Sequence, residues 1–359
     1  MKPLKIAIVG CGAITENFYI PALKALKKDS IFQVNALVDP CLDTLKTFKA
    51  HFPEAHCYTH IEVLDNQDLD AAIVASPVKY HAEQTIALLN QGLHVLCEKP
   101  MANSLEEAQA MLNASQKNSR LLAIGLFRRF FPAVQSIKAL LKAETFGTVE
   151  SFSFTEGGLF AWPIKSDSIF KKETNPGGIL SDIGVHVLDL VSFWFKEGRI
   201  VSYQDDAMGG ISTNCFIKLE FPQGLKGNVR LSWDSPVENK YIIHCEKGSL
   251  IWEPGKANEL LLKPKDSPYA LDATTLVNLA TYDTQDQWVT APNMGKSFTQ
   301  QLINFGSAIR GDTVLHIPAE EGIKSIELID SCYKNHTLLA QNWTNLANKE
   351  EKGRSSPYL

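Results

Sequence analysis

The segment KIAIVGCGAIT at residues 5–15 constrains the fold of this chain more than any other stretch. It begins with a short, largely apolar run, as a strand buried on both faces of a parallel sheet requires. Gly10 and Gly12 follow at once, and a helical pattern continues to about Leu26. Gly10 permits a tight turn, and Gly12 lets the backbone approach a pyrophosphate at the helix N-terminus. The order predicts a strand, a glycine turn and a helix that together bind a dinucleotide.

Asp39, which ends the next apolar run VNALVD, bears on the choice of cofactor. A carboxylate at the end of the second strand accepts hydrogen bonds from the adenosine ribose hydroxyls. It also repels a 2′-phosphate, and residues 40–42 (Pro-Cys-Leu) offer no cation to receive one. The third glycine of the fingerprint is replaced by Thr15, a departure that weakens the match. We expect NAD rather than NADP, with these contacts in the first two elements: Gly10, Gly12, Ala13, Ile14 and Asp39.

Three further strands complete the predicted first sheet. They are DAAIVAS (70–76), HVLCEK (94–99) and LLAIGLF (121–127), and helical segments at about 78–90 and 104–118 separate them. Strands that alternate with helices predict a parallel, doubly wound sheet, in which ligands lie beyond the carboxyl ends of the strands. At or near those ends stand Ser76, Glu98, Lys99 and Arg128. We therefore expect these side chains around one crevice.

The pattern changes after a helix predicted at about 132–142. Alternating segments predict an open, mostly antiparallel sheet with one solvated face, with strands at 148–156, about 200–207, 213–221, 225–234, 240–246 and 248–253. Two helices, at about 296–310 and 320–342, follow. The chain is thus predicted to be an α/β protein with a dinucleotide-binding domain (1–126) and a substrate-binding and oligomerisation domain (127–347). The polar tail (348–359) is expected to be flexible.

The stretch SDIGVHVLD at 181–189 is an unusual start for an apolar helix. Asp182, His186 and Asp189 are spaced four and three apart, so a helix would place them in one stripe. The stripe suits a solvent-facing surface or the wall of a pocket. Asp189 is better suited to a hydrogen bond on the helix face or between domains, and we leave it out of the predicted site.

These residues together resemble the Gfo/Idh/MocA family of NAD(P)-dependent oxidoreductases. The resemblance rests on VGCGAI (9–14), Asp39, SPVKYH (76–81), CEKPM (97–101), GLFRRF (125–130) and GGILSDIGVHVLD (177–189). It implies a Rossmann domain joined to an open-faced α/β domain, a sugar, cyclitol or nucleotide-sugar substrate, and a homo-oligomer (a dimer or tetramer) formed through the C-terminal sheet. It also suggests a cis peptide bond between Lys99 and Pro100.

The resemblance implies roles for individual residues. Lys99, Asp182 and His186 are the implied catalytic set, and Ser76, His81 and Glu98 are implied cofactor contacts. Arg128 is implied to touch cofactor or substrate, although its neighbour Arg129 makes the alignment there ambiguous. Lys99 is also an implied cofactor contact.

Chemistry supports the catalytic set independently. Oxidation of a secondary alcohol needs a base for the hydroxyl proton, and histidine titrates near neutrality. Asp182 is placed to orient the imidazole or to bind the substrate directly, and Lys99 to donate a hydrogen bond to the reacting oxygen or to share the proton transfer. The sequence leaves open which of Lys99 and His186 carries the proton.

Composition and charge exclude several other functions. The net charge of −5 argues against nucleic acid as a partner. The N-terminal apolar run of four residues is shorter than a signal-peptide core, and no stretch approaches the roughly 20 apolar residues of a membrane span. Seven scattered cysteines suit a reducing cytoplasm. No metal site is expected, because strand alternation would separate His56 from Cys57, and Cys97 suits a core position better than a nucleophile.

A dehydrogenase or reductase is the leading hypothesis, and two others compete with it. An NAD-dependent glycosidase of the same fold would release a sugar with no net NADH. A non-catalytic NAD-binding regulator would lack the catalytic set, which is present here. Trp162 suits sugar stacking or, equally, an interface or core position, and the irregular segment 157–176 suits a substrate loop or an oligomer arm.

Overall fold

The computed structural model describes residues 2–165, 167–273 and 293–340. Within these ranges the strands form two sheets. The first sheet contains β1 Leu4–Val9, β2 Phe32–Val38, β3 His56–Tyr58, β4 Ala71–Val74, β5 His94–Cys97 and β6 Leu122–Ile124. Its strands are all parallel and lie in the order β3-β2-β1-β4-β5-β6. This is the strand order of a doubly wound dinucleotide-binding sheet, as predicted.

Helices connect the strands of the first sheet. They are α1 Ile20–Ala25, which a π-helical turn at Thr15–Tyr19 precedes, α2 Leu42–Lys49, α3 His81–Asn90 and α4 Leu105–Asn118. Ser104 caps α4, because its hydroxyl accepts a hydrogen bond from the backbone N–H of Glu107. Strands β1 and β4 are buried on both faces, which explains their continuous apolar sequences.

The second sheet is mixed and mostly antiparallel. Helix α5 Pro132–Lys142 leads into β7 Val149–Gly157, and α6 Val185–Phe195 precedes β8 Arg199–Asp205. The remaining strands are β9 Asn214–Glu220, β10 Lys226–Ser232, β11 Lys240–Cys245, β12 Gly248–Trp252, β13 Leu260–Pro264, β14 Leu271–Ala273 and β15 His336–Leu338. Their order is β14-β13-β12-β11-β7-β10-β9-β8-β15. The predicted strands are all present, but β7 pairs with β10 in parallel, since the long excursion through α6 brings the chain back in the same direction.

The last predicted helix ends earlier than expected. Helix α7 spans Met294–Ile309 and α8 spans Ala319–Lys334, whereas the sequence predicted a helix to 342. The chain instead forms β15, which adds in parallel to the edge strand β8. Unpaired backbone groups on that edge accept the segment, and Leu339 N–H donates to Asp205 O at 2.7 Å. Residues from 341 onward, with the predicted tail, lie outside the described residues.

Helix α7 contacts α1, and α8 contacts both β6 of the first sheet and β8 of the second, although the sequence assigned both helices to the second domain. Gln301 of α7 donates to the Tyr19 hydroxyl at 3.2 Å, and Arg310 donates to Ile31 O at 3.2 Å. Pro318, at the start of α8, forms an isolated β-bridge with Ala123 of β6. The domain boundaries remain a prediction, but these contacts hold the two sheets on a shared apolar core. In the described part of the chain, no helix has the length and apolar character needed to cross a membrane.

Candidate active site

A cavity of about 440 Å³ opens where the carboxyl ends of the first sheet meet the start of α6. Side chains from both sheets line it, as expected for a ligand site at the end of parallel strands. The predicted residues on its wall are Ile14, Ser76, Glu98, Lys99, Arg128, Asp182 and His186. The second sheet adds residues that the sequence did not single out: Glu156, Ser232, Trp233 and Asn239.

Lys99 and Asp182 form an ion pair across this cavity. Lys99 Nζ lies 2.8 Å from Asp182 Oδ1 and 3.1 Å from Asp182 O. Both side chains are mostly buried, at 17% and 27% exposure. Lys99 follows β5, and the Lys99–Pro100 peptide is cis, which confirms that prediction. Asp182 lies in a π-helical turn, Leu180–Gly184, directly before α6. Such wider turns often occur at functional sites.

His186 stands on the first turn of α6 and faces the same cavity. Its side chain is buried, and in the described structure Nδ1 has no hydrogen-bond partner. The ring packs edge-on against Phe127 at 5.1 Å between centroids. Burial lowers the pKa of His186 well below its ordinary value, and the charges of Arg128 and Lys99 lower it further. The imidazole is therefore neutral at neutral pH.

The predicted stripe is divided by the structure. Asp182 and His186 both line the cavity, but the Asp182 carboxylate hydrogen-bonds to Lys99, and no hydrogen bond joins it to the imidazole among the described residues. Asp189, further along α6, is buried and accepts hydrogen bonds from Arg129 at 2.6–3.1 Å. Asp189 thus belongs to a buried ion pair and does not line the cavity.

The glycine turn has the shape that a dinucleotide requires. Gly10 has φ +94°, and a Cβ there would lie 2.5 Å from Ser76 N, so this position needs glycine. A Cβ on Gly12 would meet no described atom within 4 Å, so the backbone here faces open space. Thr15 replaces the third glycine, and its hydroxyl donates to Gly10 O at 2.7 Å. The substitution thus braces the turn while leaving its open side free, and the site fits a pyrophosphate.

Asp39 is held beside this turn by two backbone donors. Its Oδ2 accepts from Cys11 N and its Oδ1 from Cys41 N, each at 2.9 Å. The carboxylate is thereby fixed at the end of β2, between the glycine turn and the start of α2. This is the position predicted for recognition of the ribose.

Ser76 and His81 hold the strand ends together. The Ser76 hydroxyl donates to Gln84 Oε1 at 2.6 Å. The ring nitrogens of His81 each lie 2.8 Å from a backbone carbonyl oxygen, that of Pro100 and that of Ser76. His81 is 1% exposed and does not line the cavity. Its ring therefore joins the segments after β4 and β5, and Ser76 is the member of this pair on the cavity wall.

Glu98 is a buried carboxyl group that accepts two hydrogen bonds. The Tyr19 hydroxyl donates to its Oε1 at 2.7 Å, and the Lys99 N–H donates to its Oε2 at 3.0 Å. Burial raises the pKa of Glu98, while Tyr19 and Lys99 oppose that rise. A Cβ on Gly125 would lie 2.9 Å from this carboxyl group, so glycine leaves room for it. The sequence did not single out Tyr19, because nothing in its local pattern marks a buried hydroxyl.

The two adjacent arginines separate into different environments. Arg128 lines the cavity and makes a bidentate contact with Glu156 at 2.6 and 2.8 Å. Arg129 points the other way, into a buried cluster with Asp189 and Glu321. Of the two arginines, Arg128 lines the cavity and Arg129 does not.

The segment 157–165, here called the strap, leaves β7 and crosses toward the first sheet. Residues 157–162 line the cavity. Trp162 stacks on Phe18 at 5.6 Å between centroids, and Lys165 Nζ lies 2.7 Å from Glu16 Oε2. The strap therefore contacts both the cavity and the helix that follows the glycine turn. The sequence raised a substrate loop as one interpretation of the longer segment 157–176, and the strap lies where such a loop would be.

Three further residues with reactive or metal-ligating side chains do not line the cavity: Cys97, His56 and Cys57. Burial raises the pKa of the Cys97 thiol to about 12, which makes it a poor nucleophile. His56 and Cys57 are exposed neighbours on the short strand β3. In the described ranges, no group of three His, Cys, Asp or Glu side chains is arranged to hold a metal ion.

Family comparisons match both sheets of this chain. Residues 4–126 match the GFO/IDH/MocA oxidoreductase family with an NAD-binding Rossmann fold, and residues 134–251 match the GFO/IDH/MocA C-terminal domain. Together these two matches cover the glycine turn, the strand ends and the start of α6.

The chain is also similar to individual proteins, in sequence to two of them and in fold to a third. The chain is 27% identical over 231 residues to levoglucosan dehydrogenase of Pseudarthrobacter phenanthrenivorans, covering 55% of this chain and 59% of that protein, under two thirds of its length. It is 25% identical over 346 residues to scyllo-inositol 2-dehydrogenase (NADP(+)) IolW of Bacillus subtilis, covering 92% and 93%. Its fold is similar to that of KijD10, a 3-ketoreductase from Actinomadura kijaniata solved with NADP and TDP-benzene. That similarity has a TM-score of 0.79 at 18% identity, covering 94% of this chain and 99% of that chain.

Proposed function

The chain belongs to the Gfo/Idh/MocA oxidoreductase family, and from this premise we propose that it is an NAD-dependent dehydrogenase or reductase. Its substrate would be a sugar, a cyclitol or a nucleotide-sugar, and the hydride would be transferred at a hydroxyl or keto carbon of that molecule. The observation that carries the proposal is the meeting of Lys99, Asp182 and His186 in one cavity beside the carboxyl ends of the first sheet. A cation, its counter-ion and a neutral base are the groups that alcohol oxidation uses.

The cofactor would be held by the first sheet. The backbone at Gly12 faces open space, and the fixed carboxylate of Asp39 stands where it can accept from ribose hydroxyls. We propose NAD over NADP because that carboxylate repels a 2′-phosphate, even though a relative such as IolW is named for NADP(+). When bound, the nicotinamide supplies the hydride-transfer chemistry.

We propose that His186 is the base that accepts the proton of the substrate hydroxyl. Its imidazole is buried and neutral, so it can accept a proton from a substrate hydroxyl in the cavity. Lys99 is paired with the Asp182 carboxylate, which orients its ammonium group. The ammonium then stabilises negative charge that develops on the substrate oxygen. In the reverse direction, the protonated imidazole returns the proton to that oxygen.

The cavity lining favours an uncharged substrate within the proposed class. The two cationic side chains on its described wall are already paired, Lys99 with Asp182 and Arg128 with Glu156. A phosphate would have to compete with these carboxylates. The indole rings of Trp162 and Trp233 line the same cavity, and aromatic faces suit the C–H surface of a sugar ring. We therefore favour a free sugar or cyclitol over a nucleotide-sugar.

The test is a spectrophotometric screen for NADH formation. The wild-type enzyme and NAD would be incubated with aldoses, inositols and nucleotide-sugars, with the Lys99→Met variant as the inactive control. We expect NADH with at least one free sugar or cyclitol. Release of a sugar from a glycoside without net NADH would identify a glycosidase instead. Tight NAD binding without turnover on any substrate would identify a regulator.

The oligomeric state and the cellular location of the enzyme are also proposals. We propose a homo-oligomer formed through the open face of the second sheet, where Phe216 and Val201 are exposed at 39% each. Light scattering of the wild type against Phe216→Glu would test it, since a buried glutamate would dissociate the assembly. We further propose a cytoplasmic location, because all seven cysteines are unpaired.

A further inference from the structure

Lys165 does not line the cavity that contains Lys99 and Asp182, but it contacts the helical segment after the glycine turn. It comes at the end of the strap, which begins on the second sheet. Its Nζ lies 2.7 Å from Glu16 Oε2, and Glu16 N–H donates to Gly12 O at 3.1 Å. Its Nζ is also 5.2 Å from the ring centroid of Phe48, on α2. A lysine of the strap therefore reaches the groove between the helical segment after the glycine turn and helix α2.

The charge of Lys165 acts on the turn itself. Burial raises the pKa of the Cys11 thiol, and Lys165 is the cation that opposes this rise. Cys11 stands between the two glycines of the turn, and its N–H donates to Asp39. The lysine is thus close enough to the turn for its charge to act on the residue between the two glycines.

The present partner of Lys165 holds it weakly. The Lys165 and Glu16 side chains are 40% and 35% exposed, and an exposed ion pair contributes little stability. A phosphate carries its charge on several oxygens that accept strong hydrogen bonds from an ammonium group. A phosphate in the groove would therefore compete effectively with Glu16.

We propose that Lys165 binds a phosphate group of the dinucleotide and leaves Glu16 when it does so. This inference rests on the dinucleotide binding proposed above, and it adds a contact from the second sheet that the sequence did not predict. Two sources supply the phosphate: the pyrophosphate, common to NAD and NADP, and the 2′-phosphate of NADP alone. Because the strap also lines the cavity, the contact joins the cofactor to the wall around the substrate.

The test uses ligands that lack the nicotinamide, so it does not depend on activity. Isothermal titration would measure the affinity of the full-length protein for ADP-ribose and for 2′-phospho-ADP-ribose. The variants are Lys165→Met, Glu16→Gln and, as a matched control, Lys172→Met, an exposed lysine further along the same segment. We expect Lys165→Met to weaken binding about tenfold, the worth of one hydrogen bond to a charged group. Glu16→Gln should tighten it, because the competing carboxylate is gone, and Lys172→Met should leave it unchanged.

The pattern of losses decides the result. An equal loss for both ligands identifies the pyrophosphate, and a loss confined to 2′-phospho-ADP-ribose identifies the 2′-phosphate. If Lys165→Met binds both ligands like the wild type, the proposal is wrong while the cofactor assignment stands. If Lys165→Met and Glu16→Gln weaken binding to the same extent, the Lys165–Glu16 ion pair only holds the strap in position, and the proposal is also wrong. A wild type that binds neither ligand would overturn the cofactor assignment together with this contact.

Discussion

Lys99 Nζ donates a 2.8 Å hydrogen bond to Asp182 Oδ1, joining the end of β5 in the first sheet to the π-helical turn before α6. The two residues are 83 positions apart in the chain. Because the Lys99 side chain is long and has several rotamers, this contact is what fixes the ammonium in the cavity. The pair therefore couples the cofactor-binding sheet to the helix that carries His186.

Replacing Asp182 by Asn should slow turnover without weakening NAD binding. The amide keeps the shape of the side chain but loses the charge that orients Lys99, and a misplacement of about 1 Å in such a site costs on the order of 10²-fold. Steady-state kinetics and NAD titration would measure both quantities. Asp330→Asn, which removes one member of an exposed pair with Lys334, serves as the control. Unchanged turnover in Asp182→Asn would show that Lys99 is oriented by something else.

Replacing His186 by Ala should lower turnover by about 10²–10⁴-fold, the usual contribution of a positioned acid–base group. Affinity for NAD should barely change, because the proposed adenosine and pyrophosphate contacts lie on the first sheet. The measurement is kcat on the substrate found in the screen, together with NAD titration. His244→Ala, on an exposed face of β11, is the matched control. Near-normal turnover in His186→Ala would exclude the imidazole as the base.

Stability should fall as the pH drops below about 6.5, the pKa of histidine in an unfolded chain. Burial keeps folded His186 neutral well below that pH, so the unfolded state binds the extra proton in this window. The free energy of unfolding then decreases toward acid, by up to about 1.4 kcal/mol per pH unit for one such group. Urea unfolding at several pH values would measure the slope for wild type and His186→Gln. The variant should show a shallower slope, with the remainder due to groups such as His81, whose pKa burial also lowers. Equal slopes would mean that His186 is not held neutral by the fold.

Replacing Asp39 by Asn should shift cofactor preference toward NADP. The amide removes the negative charge that repels a 2′-phosphate, while its oxygen can still accept one of the two backbone hydrogen bonds. Fluorescence titration with NAD and NADP would give the ratio of the two affinities, which we expect to favour NAD in the wild type and to fall about tenfold in the variant. Asp43→Asn, on the nearby helix α2, is the control. A wild type that binds NADP as tightly as NAD would contradict the carboxylate argument.

Replacing Arg129 by Met should destabilise the protein by about 3–5 kcal/mol. Asp189 is 2% exposed and would lose the cation that compensates its buried charge. By contrast, Arg199→Met removes an exposed pair with Glu220 and should cost at most about 1 kcal/mol. Urea unfolding of both variants provides the comparison. A loss in Arg129→Met as small as that in Arg199→Met would mean that Asp189 finds another partner or becomes protonated without cost.

The first sheet is predictable from the sequence because its signals are local. All of its strands except β3 are short apolar runs, the glycine turn follows β1 directly, and Asp39 follows the second strand. The alternation of buried and exposed positions likewise locates the strands of the second sheet, since one face of that sheet is solvated. The pairing of strands in the second sheet cannot be predicted from such local signals. The parallel contact of β7 with β10, and the end of α8 at Lys334 followed by β15, depend on which edges the rest of the fold leaves open.

For the site, the sequence by itself determined which residue types stand at the strand ends and at the start of α6. Tertiary structure alone decided their partners. It pairs Asp182 with Lys99, separates Arg128 from Arg129, and carries Lys165 from the second sheet to the glycine turn. The physical reason is that an ion pair or a shifted pKa depends on distances of a few ångströms between groups that the chain separates by tens of residues. Such distances are set by the packing of one sheet against the other, and no local pattern encodes them.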